Sequence, residues 1–154
     1  FNSFPNMKGN IYLAGSFYKA NLKSNVITFK EVEGWVKQGG IFLGQPDNIE
    51  KFYTNIDIIC LPSYREGISN VLLEGASYGC ILLTSNVPGC IDVIRNSSGI
   101  GFKAKSSEAI YKAISKTIFL SANKQNSIRD NSYSRLEKIF SKRKVITDYL
   151  KIIS

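Results

Sequence analysis

The stretch "IDIICLPSYREGISNVLLEGASYGCILLT" (56–84) determines the predicted fold. Its first part, "IDIICLP" (56–62), is apolar almost throughout and ends at Pro62. A strand without polar alternation is typical of a parallel sheet that is covered by helices on both faces. We predict that a polar loop "SYREGIS" (63–69), a helix "NVLLEGASYG" (70–79) and a second apolar strand "ILLT" (81–84) follow. The stretch therefore predicts a β–α–β unit.

The same alternation continues on both sides of this unit. Thr28 with Glu31, and Asp47 with Glu50, have the spacing of capping boxes. Gly39 and Gly79 are suited to end helices. Further strands are predicted at 10–15, 40–44 and 99–102, and further helices at 28–40, 47–55, 90–96, 106–120, 122–140 and 141–153. Alternating strands and helices predict an α/β fold, a Rossmann-like three-layer sandwich with a mostly parallel sheet.

Composition excludes several classes of chemistry. The 154 residues suit one domain and contain no histidine, so the chain supplies neither a Ser-His-Asp triad nor a His-ligated zinc site. The number of cysteines is odd, and none of Cys60, Cys80 and Cys90 belongs to a Cys-x-x-Cys pair. We therefore expect the protein to reside in a reducing cytoplasm and to have no metal site. No apolar run is long enough to span a bilayer, and no signal peptide is visible.

Positive charge is concentrated in the last third of the chain. Residues 1–100 hold 8 Lys/Arg and 8 Asp/Glu, whereas residues 101–154 hold 12 Lys/Arg and 4 Asp/Glu, which accounts for the net charge of +8. Two interpretations stay open: solvated helix faces, or a surface that contacts anionic lipid headgroups or an anionic substrate. Nucleic acid is not an expected partner, because no nucleic-acid-binding motif is present.

Two glutamates mark the candidate site. In parallel α/β sheets ligands bind at the carboxyl ends of the strands, where the loop with Glu66 and the helix with Glu74 are predicted. The N–H groups at the start of that helix favour an anion such as a phosphate. Gly67 allows close backbone approach, and carboxylates accept paired hydrogen bonds from the hydroxyls of a ribose or hexose. The pattern alone also fits an exposed loop charge and a solvated helix edge.

The segment "LPSYREGISNVLLEGASYGCILLTSNVPGCIDVI" (61–94) resembles the nucleotide-sugar-binding segment of family 4 retaining glycosyltransferases, which have the GT-B fold. Glu66 and Glu74 match the E-x7-E motif of that family. "PSYREG", "LLE", the Ala76-x-x-Gly79 pattern and "VPGC" match in order. Upstream, "EVEGWVKQGGIFLGQPDNIEKFY" (31–53) resembles the segment that precedes the motif in bacterial polysaccharide members. The resemblance covers about residues 10–120 and implies the C-terminal half of a GT-B fold.

The resemblance also implies a role for each matching residue. Glu66 would be the catalytic glutamate that contacts the transferred sugar, and Glu74 would bind the ribose hydroxyls of the donor. The other implied donor-binding residues fall into three groups. Backbone donors are implied for Gly67, Ile68, Ser69 and Asn70, and contact with the base is implied for Gln45, Pro46 and Asn48. The third group is Gly15 and Ser16 at the end of the first strand. The alternative interpretation of Asn48 is that it is simply a helix N-terminal residue beside Asp47.

Two departures from the family pattern affect the expectation. No equivalent of the Arg/Lys pair that contacts the donor diphosphate precedes residue 10, although Lys8 or Lys19 is a candidate substitute. The N-terminal acceptor domain is also absent, so we expect residues 1–154 to form one nucleotide-sugar-binding domain that is inactive by itself.

The implied reaction is transfer of a sugar from a UDP- or GDP-linked donor to a glycan or polyprenyl-linked acceptor. It retains anomeric configuration, needs no metal or other cofactor, and serves capsule or lipopolysaccharide synthesis at the inner membrane surface. The alternatives are a non-catalytic nucleotide-sugar-binding module or subunit of a split glycosyltransferase, and a Rossmann-like domain that binds no sugar nucleotide.

Overall fold

The computed structural model describes residues 10–17 and 27–153. Strands and helices alternate as predicted. The strands are β1 (Tyr12–Ala14), β2 (Ile41–Gly44), β3 (Ile58–Leu61), β4 (Ile81–Ser85) and β5 (Ile100–Phe102). The helices are α1 (Phe29–Lys37), α2 (Ile49–Thr54), α3 (Asn70–Ser77), α4 (Cys90–Ile94), α5 (Ser107–Ile118), α6 (Ala122–Arg135) and α7 (Lys142–Ile153). The chain divides between Ile49 and Glu50 into two compact units.

The first unit contains a parallel pair of strands. In this pair β1 aligns with β2 so that Tyr12 faces Ile41 and Ala14 faces Gly44. The predicted capping box at the start of α1 is present: the Glu31 amide donates to Thr28 Oγ1 at 3.3 Å, and the Thr28 amide donates to Glu31 Oε2 at 2.7 Å. Gly39, with φ of 97°, follows the helix, and its amide donates to the Val36 carbonyl at 2.9 Å.

The second unit contains a parallel three-stranded sheet with the order β3-β4-β5. Because successive side chains of a strand point to opposite faces, β4 contributes to two separate cores. Leu82 packs on one face with side chains of α2, α3 and α4, whereas Ile81 and Leu83 pack on the other with side chains of α5 and α6. The unit is therefore a three-layer α/β/α arrangement, which confirms the predicted fold class.

Two local predictions differ from the structure. The helix expected to begin at Asp47 begins at Ile49, so Asn48 rather than Asp47 directly precedes the helix, and the Asp47–Glu50 pair lies one position too early for a capping box. Asn and Asp are comparably good N-caps, so the sequence pattern did not choose correctly between these neighbours. The helix expected to span 122–140 changes after Arg135 into a π-helical turn, Leu136–Phe140, and Ser141, in an extended conformation, separates it from α7.

Within residues 10–17 and 27–153, no helix combines the length and the apolar character that crossing a bilayer requires.

Candidate active site

Two loops meet where β3 and β4 end. One loop (62–69) connects β3 to α3, and the other (86–89) connects β4 to α4. Gly89 closes the second loop with φ of 81°, a backbone conformation that favours glycine. A Cβ atom at Gly89 would overlap the carbonyl oxygen of Gly67 and lie 2.8 Å from that of Glu66. The backbone of the Glu66 loop is therefore packed directly against the glycine of "VPGC".

The Glu66 side chain is half-buried rather than fully solvated. Burial raises the pKa of the Cys90 thiol, Thr84 opposes this shift through a hydrogen bond, and the charge of Glu66 raises that pKa further. Thr84 is itself fixed, because its hydroxyl donates to the Leu61 carbonyl at 2.9 Å. The Glu66 carboxylate thus lies close to the start of α4, at the carboxyl edge of the sheet.

The start of α3 keeps its N–H groups available. Ser69 occupies the N-cap position and is buried, yet its side chain makes no capping hydrogen bond. The first helical bond of the segment is the donation from the Leu73 amide to the Ser69 carbonyl, at 3.1 Å. The amides of residues 70–72 precede this bond, so they have no partner within the helix. Ile68 and Asn70 are exposed beside them. This uncapped helix start can bind an anion.

Glu74 lies in the middle of α3, between buried and exposed faces. Leu72 and Ala76 are buried in the core, whereas Glu74 is half-buried. Burial raises the pKa of the Tyr53 hydroxyl above its usual range, and a hydrogen bond with Glu74 adds to the shift. The interpretation of Glu74 as a solvated helix edge is therefore incomplete, since this carboxylate has a buried tyrosine as a neighbour.

A cation lies close to the Glu66 loop. The Lys105 ammonium group lies 5.3 Å from the centre of the Tyr64 ring. Lys105 follows β5 and has φ of 59°, which is uncommon for a residue with a side chain. The contact joins the loop after β3 to the loop after β5, and no sequence signal indicated it.

The remaining predicted site residues belong to the first unit. Gly15 follows β1, and its amide donates to the Gly44 carbonyl at 2.8 Å, so Gly15 and Ser16 lie beside the end of β2. Gln45, Pro46 and Asn48 follow β2 and lead into α2. All five residues therefore follow the carboxyl ends of this strand pair.

Lys8 and Lys19, the candidates for diphosphate contacts, lie outside the described residues. The sequence patterns did not indicate Tyr53 or Lys105, and they indicated Gly89 only as part of the "VPGC" motif. The pairing of Tyr53 with α3 and of Lys105 with Tyr64 depends on tertiary packing, which no local pattern encodes.

Known proteins resemble this chain in sequence and in structure. Residues 20–135 match the family model described as "Glycosyl transferases group 1". The capsular polysaccharide biosynthesis glycosyltransferase CapM of Staphylococcus aureus is 30% identical over 134 residues, which are 79% of this chain and 34% of CapM. The N,N'-diacetylbacillosaminyl-diphospho-undecaprenol alpha-1,3-N-acetylgalactosaminyltransferase of Campylobacter jejuni is 33% identical over 75 residues, 48% of this chain and 20% of that enzyme.

Among solved structures, Anabaena Alr3699/HepE in complex with UDP superposes with a TM-score of 0.74 at 16% identity, covering 94% of this chain and 40% of that one. This likeness shows the shared fold, that of GT-B glycosyltransferases. The chain spans about a third of the length of CapM. Since the family model covers more than half of the chain, the protein belongs to the group 1 glycosyltransferases.

Proposed function

We propose that this chain is the donor-binding part of a retaining glycosyltransferase that uses a nucleoside diphosphate sugar. The observation that carries the proposal is the convergence of the Glu66 loop, Gly89 and the uncapped start of α3 at the carboxyl ends of two parallel strands. The solved relative in complex with UDP supports a nucleoside diphosphate as the bound group. A uridine or guanosine diphosphate sugar is the expected donor.

In the proposed complex, each part of the donor has a partner in the chain. The hydroxyls of the ribose donate to the Glu74 carboxylate, which offers two acceptor oxygens. The diphosphate lies at the start of α3, where the amides of Gly67, Ile68, Ser69 and Asn70 supply donors and the helix dipole favours negative charge. The family resemblance assigns the base to Gln45, Pro46 and Asn48 and close backbone approach to Gly15 and Ser16, all five in the first unit.

Transfer breaks the bond between the anomeric carbon and the diphosphate and forms a bond from that carbon to an acceptor hydroxyl. The proton of the acceptor hydroxyl is released and the diphosphate leaves as an anion. The positive end of α3 stabilises the charge that develops on the leaving diphosphate. Glu66 contacts the sugar and positions its anomeric carbon. The family resemblance supports a mechanism without a resident metal ion.

The proposed biological role is synthesis of a bacterial surface polysaccharide. CapM acts in capsular polysaccharide biosynthesis, and the Campylobacter jejuni relative is named for a polyprenol-diphosphate-linked acceptor. A glycan or polyprenyl-linked acceptor is therefore the proposed second substrate. The acceptor would bind mainly to a separate N-terminal domain of the whole enzyme.

Peripheral contact with an anionic membrane is part of the proposal. Helix α7 carries Lys142, Arg143, Lys144 and Lys151 against a single acidic residue, Asp148. Its apolar side chains are exposed, notably Tyr149 at 68% and Ile153 at 77%. Exposed apolar groups beside cations are typical of helices that bind anionic lipid surfaces.

Vesicle sedimentation tests the membrane contact. Reversing the charges of Lys142, Arg143 and Lys144 should abolish binding to vesicles that contain phosphatidylglycerol. The control reverses the charges of Lys112, Lys116 and Lys124, which changes the net charge equally and should preserve more of the vesicle binding. Binding that survives the first reversal contradicts the membrane contact.

NMR titration tests the donor site itself. UDP-, GDP- and ADP-glucose are added to the labelled 154-residue chain, and the amides of residues 67–72 should shift with at least one of them. Glu74→Gln should weaken that binding about tenfold, the scale of a lost charge-assisted hydrogen bond. Glu137→Gln removes an exposed carboxylate from the π-helical turn and should leave binding unchanged.

The absence of shifts with all three donors would favour a Rossmann-like domain that binds no sugar nucleotide. The chain could also bind a sugar nucleotide and still transfer no sugar after an acceptor domain is added. That result would favour the non-catalytic nucleotide-sugar-binding module.

A further inference from the structure

The ring of Tyr53 lies along one face of α3. Its hydroxyl donates to the Val71 carbonyl, and its ring stacks on the Tyr78 ring with centroids 5.6 Å apart and planes 6° from parallel. Val71, Glu74 and Tyr78 are spaced by three and four residues, so they share a helix face. Glu74 therefore sits between the two contacts that Tyr53 makes with this helix.

The contact with Val71 does not satisfy the Tyr53 hydroxyl well. Its length of 3.4 Å is long for a bond between two oxygens, whose usual separation is about 2.7–2.8 Å. In an α-helix the carbonyl of one residue points toward the residues three and four positions later, so a hydroxyl at the Val71 carbonyl lies beside the base of the Glu74 side chain. A carboxylate is the stronger acceptor of the two.

Tyr53 is also held firmly. Its side chain is 3% exposed and packs edge-on against Phe52, with ring centroids 5.0 Å apart. Its main-chain carbonyl lies 3.8 Å from the Cys80 thiol. A hydroxyl on such a fixed ring costs little additional ordering when it binds a carboxylate.

We propose that Tyr53 is a positioning residue: its hydroxyl donates to one oxygen of Glu74 in preference to the Val71 carbonyl, and it holds the carboxylate in the orientation that accepts hydrogen bonds from the ribose hydroxyls. The inference rests on the proposed function, in which Glu74 binds the ribose. It adds a residue from α2 that acts on the donor only through Glu74. Without this donor the half-buried Glu74 carboxylate would be free to rotate and would lose its orientation for the diol.

The test compares a ligand that has the ribose hydroxyls with one that lacks them. UDP and 2',3'-dideoxyuridine diphosphate are titrated into the 154-residue chain and its Tyr53→Phe variant. Tyr53→Phe should weaken UDP binding about tenfold, which corresponds to about 1.4 kcal/mol, and leave the dideoxy analogue unaffected. Tyr78→Phe, which removes the hydroxyl of the stacked ring, should change neither affinity.

A double-variant cycle separates positioning from packing. In a Glu74→Ala background, which removes the acceptor oxygens altogether, Tyr53→Phe should cause no further loss of UDP affinity. Equal weakening of UDP and the dideoxy analogue would indicate a merely structural role and overturn the inference, as would unchanged UDP affinity. If the wild-type chain binds none of UDP, GDP and ADP, the proposed function itself fails and the inference falls with it.

A spectroscopic measurement avoids any dependence on how well Tyr53→Phe folds. In protein labelled with ¹³C at the tyrosine ζ carbon, Glu74→Ala should shift the Tyr53 resonance, because the hydroxyl loses its side-chain acceptor. The Tyr149 resonance, from exposed α7, is the control and should not move. An unmoved Tyr53 resonance contradicts the hydrogen bond.

Discussion

Gly89 lies so close to Gly67 that no side chain fits between them. A Cβ at position 89 would overlap the Gly67 carbonyl oxygen, and φ of 81° adds strain for any other residue. The contact joins the loop after β4 to the loop that carries Glu66. The position of the catalytic candidate therefore depends on a glycine that lies in a different loop.

Gly89→Ala should lower the free energy of unfolding by about 3 kcal/mol, because backbone strain and overlap add. It should also weaken UDP binding at least tenfold by displacing the loop. Gly79→Ala is the matched control, since φ is 76° and a Cβ there would meet no atom within 4 Å. We expect it to cost about 1–2 kcal/mol and to change UDP affinity little. Urea unfolding and calorimetric titration measure both effects, and equal losses of UDP affinity in the two variants would contradict the contact.

Most of the fold could be predicted from sequence because its signals are local. The apolar strands of residues 56–62 and 81–84, and the helix ends at Gly39 and Gly79, each follow from a few neighbouring residues. Parallel pairing follows in turn, since strands joined through a helix run in the same direction.

The candidate site was predicted in outline only. Sequence placed the loop with Glu66 and the start of the helix with Glu74 at the carboxyl edge of the sheet, where the structure has them. It did not predict that Tyr53 lies against α3 or that Lys105 lies over Tyr64, because those contacts join residues that are distant in sequence. Contacts of this kind depend on how helices and loops pack, and single-sequence patterns carry no information on that packing.

Cys80 should make the stability of the chain depend on pH in alkaline solution. Burial raises the pKa of its thiol from 9.0 to about 11, with smaller and opposing effects of Arg129 and Asp57. The folded state therefore keeps a proton that the unfolded state loses above pH 9. This contribution to the free energy of unfolding is complete below pH 9 and falls by about 2–3 kcal/mol as the pH rises to about 11.

Urea unfolding between pH 8 and pH 11 measures this fall. Other groups titrate in the same range, so the informative quantity is the difference between the wild-type chain and Cys80→Ala. Cys80→Ala should be less stable at pH 8, because it leaves a small cavity, and should lose less stability as pH rises. Parallel pH curves for the two proteins would contradict a raised pKa at Cys80.

The capping box of α1 should also respond to pH, at the acidic end. Hydrogen bonds from the Thr28 amide and then the Thr28 hydroxyl lower the pKa of Glu31 from 4.5. The stabilisation is therefore present above pH 4.5 and is lost as pH falls through the lowered pKa. Thr28→Ala should increase local opening of α1 about fivefold at pH 7.

Amide hydrogen exchange of residues 32–37 reports that opening directly. Thr28→Ser keeps an acceptor for the Glu31 amide and should behave nearly like the wild type. An α1 whose exchange is unchanged by Thr28→Ala would show that the cap contributes nothing to the helix.

Arg129 should stabilise the end of the helix that carries Glu74. Its Nε donates to the Gly79 carbonyl at 3.0 Å, where α3 ends, while its ion pair with Asp57 is 3.9 Å long and Asp57 is 94% exposed. A charged hydrogen bond to a carbonyl outweighs an exposed ion pair of that length. Arg129→Met should therefore lower the free energy of unfolding by about 1–3 kcal/mol. Asp57→Asn should change it by less than about 0.5 kcal/mol.

Thermal unfolding distinguishes the two contributions of Arg129. For a chain of this size a loss of 1 kcal/mol lowers Tm by about 2–4 °C, so Arg129→Met should show a clear decrease and Asp57→Asn almost none. Lys124→Met, an exposed cation on the same helix, controls for the lost charge. If Asp57→Asn were as damaging as Arg129→Met, the ion pair rather than the helix-ending hydrogen bond would be the stabilising contact, and α3 would not depend on Arg129 for its C-terminal end.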